Sequence, residues 1–183
     1  NGAHAQVRTA VDKALKNGAK GIVFDLRGNP GGILQEGQLV ASIFVNKGLI
    51  VSTRGRTQPE QKLYATGDAI PASVPMVVLV DSGTASAAEI TAGALRDYNR
   101  ATVVGEKTFG KGVFQEVLEL SNGGALDITA GQYFTPKGRN LGGKGVATGK
   151  GIAPDVVAKD DPKTARDEAL DRAVSVVGSR CRP

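Results

Sequence analysis

Three short apolar runs, each closed by turn residues, limit what this chain can fold into. They are residues 21–26 (GIVFDL), 76–80 (MVVLV) and 101–104 (ATVV). Each is too short for a stable helix, and far below the about 20 apolar residues that span a bilayer. Each therefore reads as a buried strand. Helical spacing separates them. Val7, Ala10, Val11, Ala14 and Leu15 share one helical face, with Asn17-Gly18 as a C-terminal cap. Residues 33–45 and 87–97 read as two further helices. Residues 113–120 alternate in the strand manner, Ser121-Asn-Gly-Gly124 is a hairpin turn, and 125–134 is the return strand. Another strand is expected near 49–54. Asp161-Pro162 predicts the start of a last helix running to about Val177. A polar excursion holding Pro59, Pro71 and Pro75, and a Gly-rich loop over 137–150, complete the chain. Strands alternating with helices, plus one antiparallel hairpin, give a mixed α/β class. No internal repeat is visible.

Composition narrows the chemistry. A length of 183 residues with 40% apolar content supports one core, and 22% charge argues against disorder. With one His and one Cys, a zinc site of His and Cys ligands cannot be built. Cys181 has no partner for an internal disulfide. A Ser-His-Asp triad would have to use His4, close to the start of the chain. The net charge of +5 comes from scattered Lys and Arg, and only 3 Tyr and 5 Phe are present. Neither a basic stripe nor a base-stacking platform results, so nucleic acid is not the expected partner. No apolar run is long enough for a transmembrane segment.

Three segments carry possible chemistry. In Thr84-Ala-Ser-Ala-Ala-Glu89 a serine stands between a buried strand and a helix, near the positive end of the helix dipole. Ala85, Ala87 and Ala88 leave room for a substrate backbone. The same Ser86-x-x-Glu89 is also a capping box, which needs no chemistry. Asp81-Ser82-Gly83 matches the D-[ST]-G pattern of aspartic proteases, but those need two such carboxylates. A single copy followed by a helix argues against it. Gly105-Glu-Lys-Thr-Phe-Gly-Lys-Gly112 is one residue short of a phosphate-binding loop. Gly112 replaces its Ser/Thr, and a strand follows where a helix should, so a nucleotide site is rejected. Lys111 is then either a solvated loop lysine or a base. Arg27-Gly-Asn-Pro-Gly-Gly32 is a loop whose paired glycines supply an oxyanion donor or simply a tight turn.

A serine without a usable histidine can be activated by lysine. Only about one exposed lysine in a thousand is neutral near pH 7.4, and burial can lower a lysine pKa by up to about 3–5 units. Lys111 between two glycines is expected in a dry cleft. A bend at the start of the following strand would let Gln115 orient it.

Five blocks in order resemble the carboxyl-terminal processing proteases, or tail-specific proteases, which are Ser-Lys serine endopeptidases. They are Asp25-Leu-Arg-Gly-Asn-Pro-Gly-Gly32, Val80-Asp-Ser-Gly-Thr-Ala-Ser-Ala-Ala-Glu-Ile90, Gly105-Glu-Lys-Thr-Phe-Gly-Lys-Gly-Val-Phe-Gln115, Thr135-Pro-Lys-Gly-Arg139 and Gly149-Lys-Gly-Ile-Ala-Pro-Asp155. The resemblance implies a ββα-spiral core of the ClpP/crotonase-like type, a mixed sheet with flanking helices. It implies Ser86 as nucleophile, Lys111 as general base and Gln115 as the residue positioning that lysine. The oxyanion hole is implied at the N–H groups of Gly32 and Ala87. Neither metal nor cofactor is implied. The implied substrate is a protein with a flexible C-terminal tail, and the implied setting is the bacterial envelope or the plastid lumen. Nothing here resembles the PDZ domain that usually precedes this region, nor the first core strand. Residues 1–183 are therefore expected to be a single, N-terminally truncated protease core. Two other readings stay open: a non-catalytic peptide- or ligand-binding module on the same fold, and a crotonase-like acyl-CoA enzyme.

Overall fold

A computed structural model describes residues 2–56, 59–142 and 150–181. Helix α1 (Ala3–Lys16) leads into β1 (Ile22–Asp25), and α2 (Leu34–Ser42) into β2 (Leu49–Gly55) and β3 (Gln61–Tyr64). Then come β4 (Met76–Val80), α3 (Ala87–Asp97) and β5 (Thr102–Gly105). The hairpin β6 (Val113–Glu119) and β7 (Ala125–Phe134) follows, then β8 (Val156–Val157) and α4 (Glu168–Arg180).

Parallel and antiparallel pairing are divided between two sheets, ordered β1-β4-β5-β8 and β3-β2-β7-β6. All pairs in the first are parallel, and all in the second antiparallel. The three apolar runs are the first three strands of the parallel sheet. β4 is its centre, and every residue of β4 is buried. Period two then decides which residue faces which layer. Met76, Val78 and Val80 face the larger core with residues of α1, α2 and α3. Val77 and Leu79 face α4, against Ala169, Ala173 and Val177. Burying such side chains contributes roughly 1.5–3 kcal/mol each, which is why this strand reads so clearly from sequence. Ile50 and Val51 of β2 and Tyr133 of β7 join the larger core, so the antiparallel sheet is fastened to the same interior.

Four expectations need correction. The last helix does not start at Asp161-Pro162. Asp161 instead closes a turn, its carboxylate accepting from Lys163 N–H at 2.9 Å and its carbonyl from Thr164 N–H. The cap of α4 is Asp167, which accepts from Leu170 N–H at 2.8 Å. A short polar side chain can satisfy a turn as readily as a helix end. The helix expected over 33–45 stops at Ser42, where Phe44 N–H and Val45 N–H both turn back to Ala41 O. The polar excursion contains an edge strand, β3, whose exposed Gln61 and Lys62 suit an edge. β8 is two residues long and was not foreseen. Of the Gly-rich loop over 137–150, residues 143–149 lie outside the described residues.

Candidate active site

Parallel strands deliver their loops to one end of a sheet. The loop after β1 (residues 26–33) meets the loop after β4 (residues 81–86) there, and a few polar groups knit them together. Asp81 Oδ1 accepts from Gly28 N–H at 2.8 Å, Gly83 N–H at 2.9 Å and Thr84 N–H at 3.0 Å. Thr84 Oγ1 donates to Leu26 O at 2.8 Å, and Ala85 N–H donates to Asn29 O at 2.9 Å. Asp81 thus serves as a loop knot, and Ser82 beside it is exposed.

Ser86 ends this loop as the N-cap of α3, with φ 52° and ψ −120°. Among the described residues only Asn99 shares a positive φ without being glycine. Such a backbone costs of order 1–3 kcal/mol and persists only where its surroundings enforce it. The sharp turn from strand to helix presents the serine at the top of the sheet, as nucleophile elbows do. Gly31 explains the fit: a Cβ there would lie 2.7 Å from both Ala85 O and Ala87 N. The capping box is present, with Glu89 reaching back to accept from Ser86 N–H at 3.0 Å, and it leaves the nucleophile reading open.

Glu89 does more than cap. It is fully buried on α3, and both its oxygens take donors from the loop after β5. Oε1 accepts from Thr108 Oγ1 and from Gly110 N–H at 2.8 Å. Oε2 accepts from Lys111 N–H at 2.9 Å as well as from Ser86 N–H. One carboxylate oxygen therefore holds the backbones of Ser86 and Lys111 together. This role was missed from sequence, where Glu89 figured only in the capping box. A lone carboxylate among Ala87, Ala88 and Ile90 was the available signal.

Lys111 is half-buried, not enclosed in a dry cleft. Its Nζ donates to Gln115 Oε1 at 3.3 Å. The expected bend is present: the β6–β7 register shifts between Phe114 and Gln115. No hydrogen bond joins Lys111 Nζ to Ser86 Oγ, and it is the backbones of the two residues that Glu89 brings together. Catalytic contacts of this kind often tighten only when substrate is bound. Gly112, the residue that spoils the nucleotide motif, has no room for a side chain, because a Cβ would overlap Gly142 N.

Gly32 and Ala87 line one cleft of about 470 Å³ with apolar Phe24, Leu26, Ile33 and Val40. Among the described residues neither the Gly32 N–H nor the Ala87 N–H donates to a protein acceptor. Two unclaimed donors beside a strained serine form an arrangement that can hold a developing oxyanion. Among the described residues no group of three or more His, Cys, Asp or Glu is placed to hold a metal ion.

Comparison with known proteins shows the family and the fold. The model of peptidase family S41 matches residues 1–158. The chain is 42% identical over 157 residues to a carboxy-terminal-processing protease of Bartonella bacilliformis, covering 85% of this chain and 35% of that protein. It is 45% identical over 139 residues to a carboxyl-terminal-processing protease of Synechocystis, covering 76% and 32%. Among solved structures it resembles a photosystem II D1 C-terminal processing protease, with TM-score 0.76 and 36% identity over 100% of this chain and 45% of that one. The tricorn protease, at TM-score 0.56 and 19% identity over 90% of this chain and 15% of that one, shares the fold. The chain spans about a third of the length of the curated relatives it matches.

Proposed function

The chain belongs to peptidase family S41, and from that premise we propose that it is the core of a serine endopeptidase cleaving proteins near their C-termini through a Ser86-Lys111 dyad. The observation that carries this reading is Glu89 Oε2 holding the N–H groups of both Ser86 and Lys111. A carboxylate so placed fixes the serine loop against the lysine loop before substrate arrives, and preorganisation of this kind is what catalysis requires.

In the proposed reaction Ser86 Oγ attacks the scissile carbonyl while neutral Lys111 Nζ takes its proton. Gln115, already bonded to Nζ, holds the amine in place. The tetrahedral oxyanion is stabilised by the Gly32 and Ala87 N–H groups. Collapse expels the leaving amine, which receives the proton from Lys111, and an acyl-enzyme remains on Ser86. Lys111 then deprotonates a water that attacks the acyl carbonyl; the bond to Ser86 Oγ breaks, Oγ takes the proton back from Lys111, and the acid product leaves. A substrate tail lying across the half-buried lysine would exclude water and favour its neutral form.

The substrate class proposed is a protein with a flexible C-terminal tail. The proposed setting is an exported one, the bacterial envelope or the plastid lumen. No helix among the described residues is long and apolar enough to cross a membrane.

The test is mass spectrometry of an unstructured protein incubated with the wild type, Ser86→Ala, Lys111→Ala and Ser82→Ala. Cleavage by the wild type and Ser82→Ala, but by neither other variant, is the expected result. Cleavage that survives Ser86→Ala, or that is lost in Ser82→Ala, would overturn the assignment.

A further inference from the structure

We propose that Asp167, at the start of α4, is a positioning residue for the oxyanion loop, acting through Arg27; this rests on the Ser-Lys reading above. Arg27 is the residue on which the loop 28–32 is rooted. Its guanidinium makes a two-pronged contact with Asp167, at 2.8 Å to Oδ1 and 2.7 Å to Oδ2. It also donates to Asp25 at the end of β1, with its shortest contact 2.7 Å to Oδ2, and to Asp160 Oδ2 at 3.2 Å. The two acidic partners from the C-terminal segment both hold the first turn of α4. Asp167 caps Leu170 N–H, and Asp160 accepts from Ala169 N–H at 2.9 Å. Both lie beyond residue 158, where the family match ends.

The oxyanion loop is therefore held on two sides. Asp81 and Asn29 tie it to the serine loop, and Arg27 ties its root to α4. A planar guanidinium gripped by two prongs fixes direction as well as distance. Asp167 is about two-fifths exposed, so the contact contributes little to overall stability. Its effect lies in where Gly32 points. A small displacement of an oxyanion donor costs far more in rate than in folding.

Asp167→Asn separates the two jobs of this residue. Asparagine caps a helix about as well as aspartate, but it sets an amide N–H₂ against the guanidinium. In the longest form in which the protein is expressed, Asp167→Asn is expected to lower kcat roughly tenfold. KM and the melting temperature stay unchanged, and the bonded amides of Gly28, Asn29 and Gly31 exchange hydrogen faster. Asp171→Asn, which removes an exposed pair with Arg166 on the same helix, leaves all four as in the wild type. Unchanged kcat and unchanged exchange in Asp167→Asn would overturn the proposal. So would a loss of kcat matched by a fall in melting temperature. A wild type without Ser86-dependent cleavage would overturn the protease reading instead, while faster exchange at Gly28, Asn29 and Gly31 would still register the contact between Arg27 and α4.

Discussion

Glu89 shows how much a single residue can do that its neighbours in sequence do not reveal. Its partners Thr108, Gly110 and Lys111 lie 19, 21 and 22 residues away. No local pattern reports contacts at that range. Ser86, Lys111 and Gln115 are proposed from residue types in ordered blocks, whereas the positive φ of Ser86 and the clamp beneath it come from packing. Glu89→Gln would turn one acceptor oxygen into a donor facing other donors. Leaving such a group unsatisfied in the interior costs about 1–3 kcal/mol, and the misplaced lysine loop costs rate besides. The expected outcome is a lower melting temperature together with a fall in kcat of at least about a hundredfold. Thermal unfolding read beside acylation of Ser86 by a serine-reactive probe checks both. Gln115→Glu makes a different prediction. A negative charge against Lys111 Nζ favours the charged amine over a neutral base, so kcat/KM is expected to fall while the melting temperature holds. Steady-state kinetics beside thermal unfolding measure that fall, and an unchanged kcat/KM would separate Lys111 from the base role.

Elements were legible where one physical signal dominated. β4, buried along its whole length, could be read directly, and so could the hairpin of β6 and β7. β8 could not, because two residues carry no periodicity and its place is fixed by β5 alone. The onset of α4 was misread because Asp161 and Asp167 both offer a carboxylate to nearby N–H groups, and only packing of Ala169 and Ala173 chooses between them. The N-terminus of α1 shows another effect invisible locally, since its cap comes from a different helix. Glu36 of α2 accepts from Gly2 N–H at 2.8 Å, His4 N–H at 3.0 Å and the His4 ring at 2.9 Å. These contacts, the Gly2 N–H first among them, hold the Glu36 carboxyl down at about 2. A carboxylate with a depressed folded-state pKa adds stability above its ordinary value, and that contribution disappears as pH falls through the folded value. The difference in melting temperature between wild type and Glu36→Gln is thus expected to be present at about pH 5 and to vanish toward pH 2. A difference that persists at pH 2 would mean that the charge is not what joins α1 to α2.

For the molecule as a whole, the site depends on the parallel sheet being covered on both faces. The larger core holds one face through α1, α2 and α3, and α4 alone supplies Ala169, Ala173 and Val177 to the other. Sequence conveyed the α/β alternation but not this asymmetry, because which helix covers which face is a property of the assembled sheet. Ala173 is completely buried in that second layer, whereas Val174, the next residue, is half exposed. Ala173→Asp would place an unpaired charge against Val77 and Leu79. The carboxylate must then be neutralised or α4 displaced, and either cost, several kcal/mol, is large against a total stability of about 5–15 kcal/mol. Loss of the cooperative urea transition is expected for Ala173→Asp, and a transition close to wild type for Val174→Asp. The same helix carries the Asp167 contact to Arg27, so Ser86-dependent cleavage should disappear with the transition. If Ala173→Asp instead kept its cleavage activity while α4 was shown by hydrogen exchange to be detached, the ends of β1 and β4 would have to be held by the larger core alone. The active-site loops would then answer to one face of the sheet, and the contact between Arg27 and α4 would have no part in shaping them.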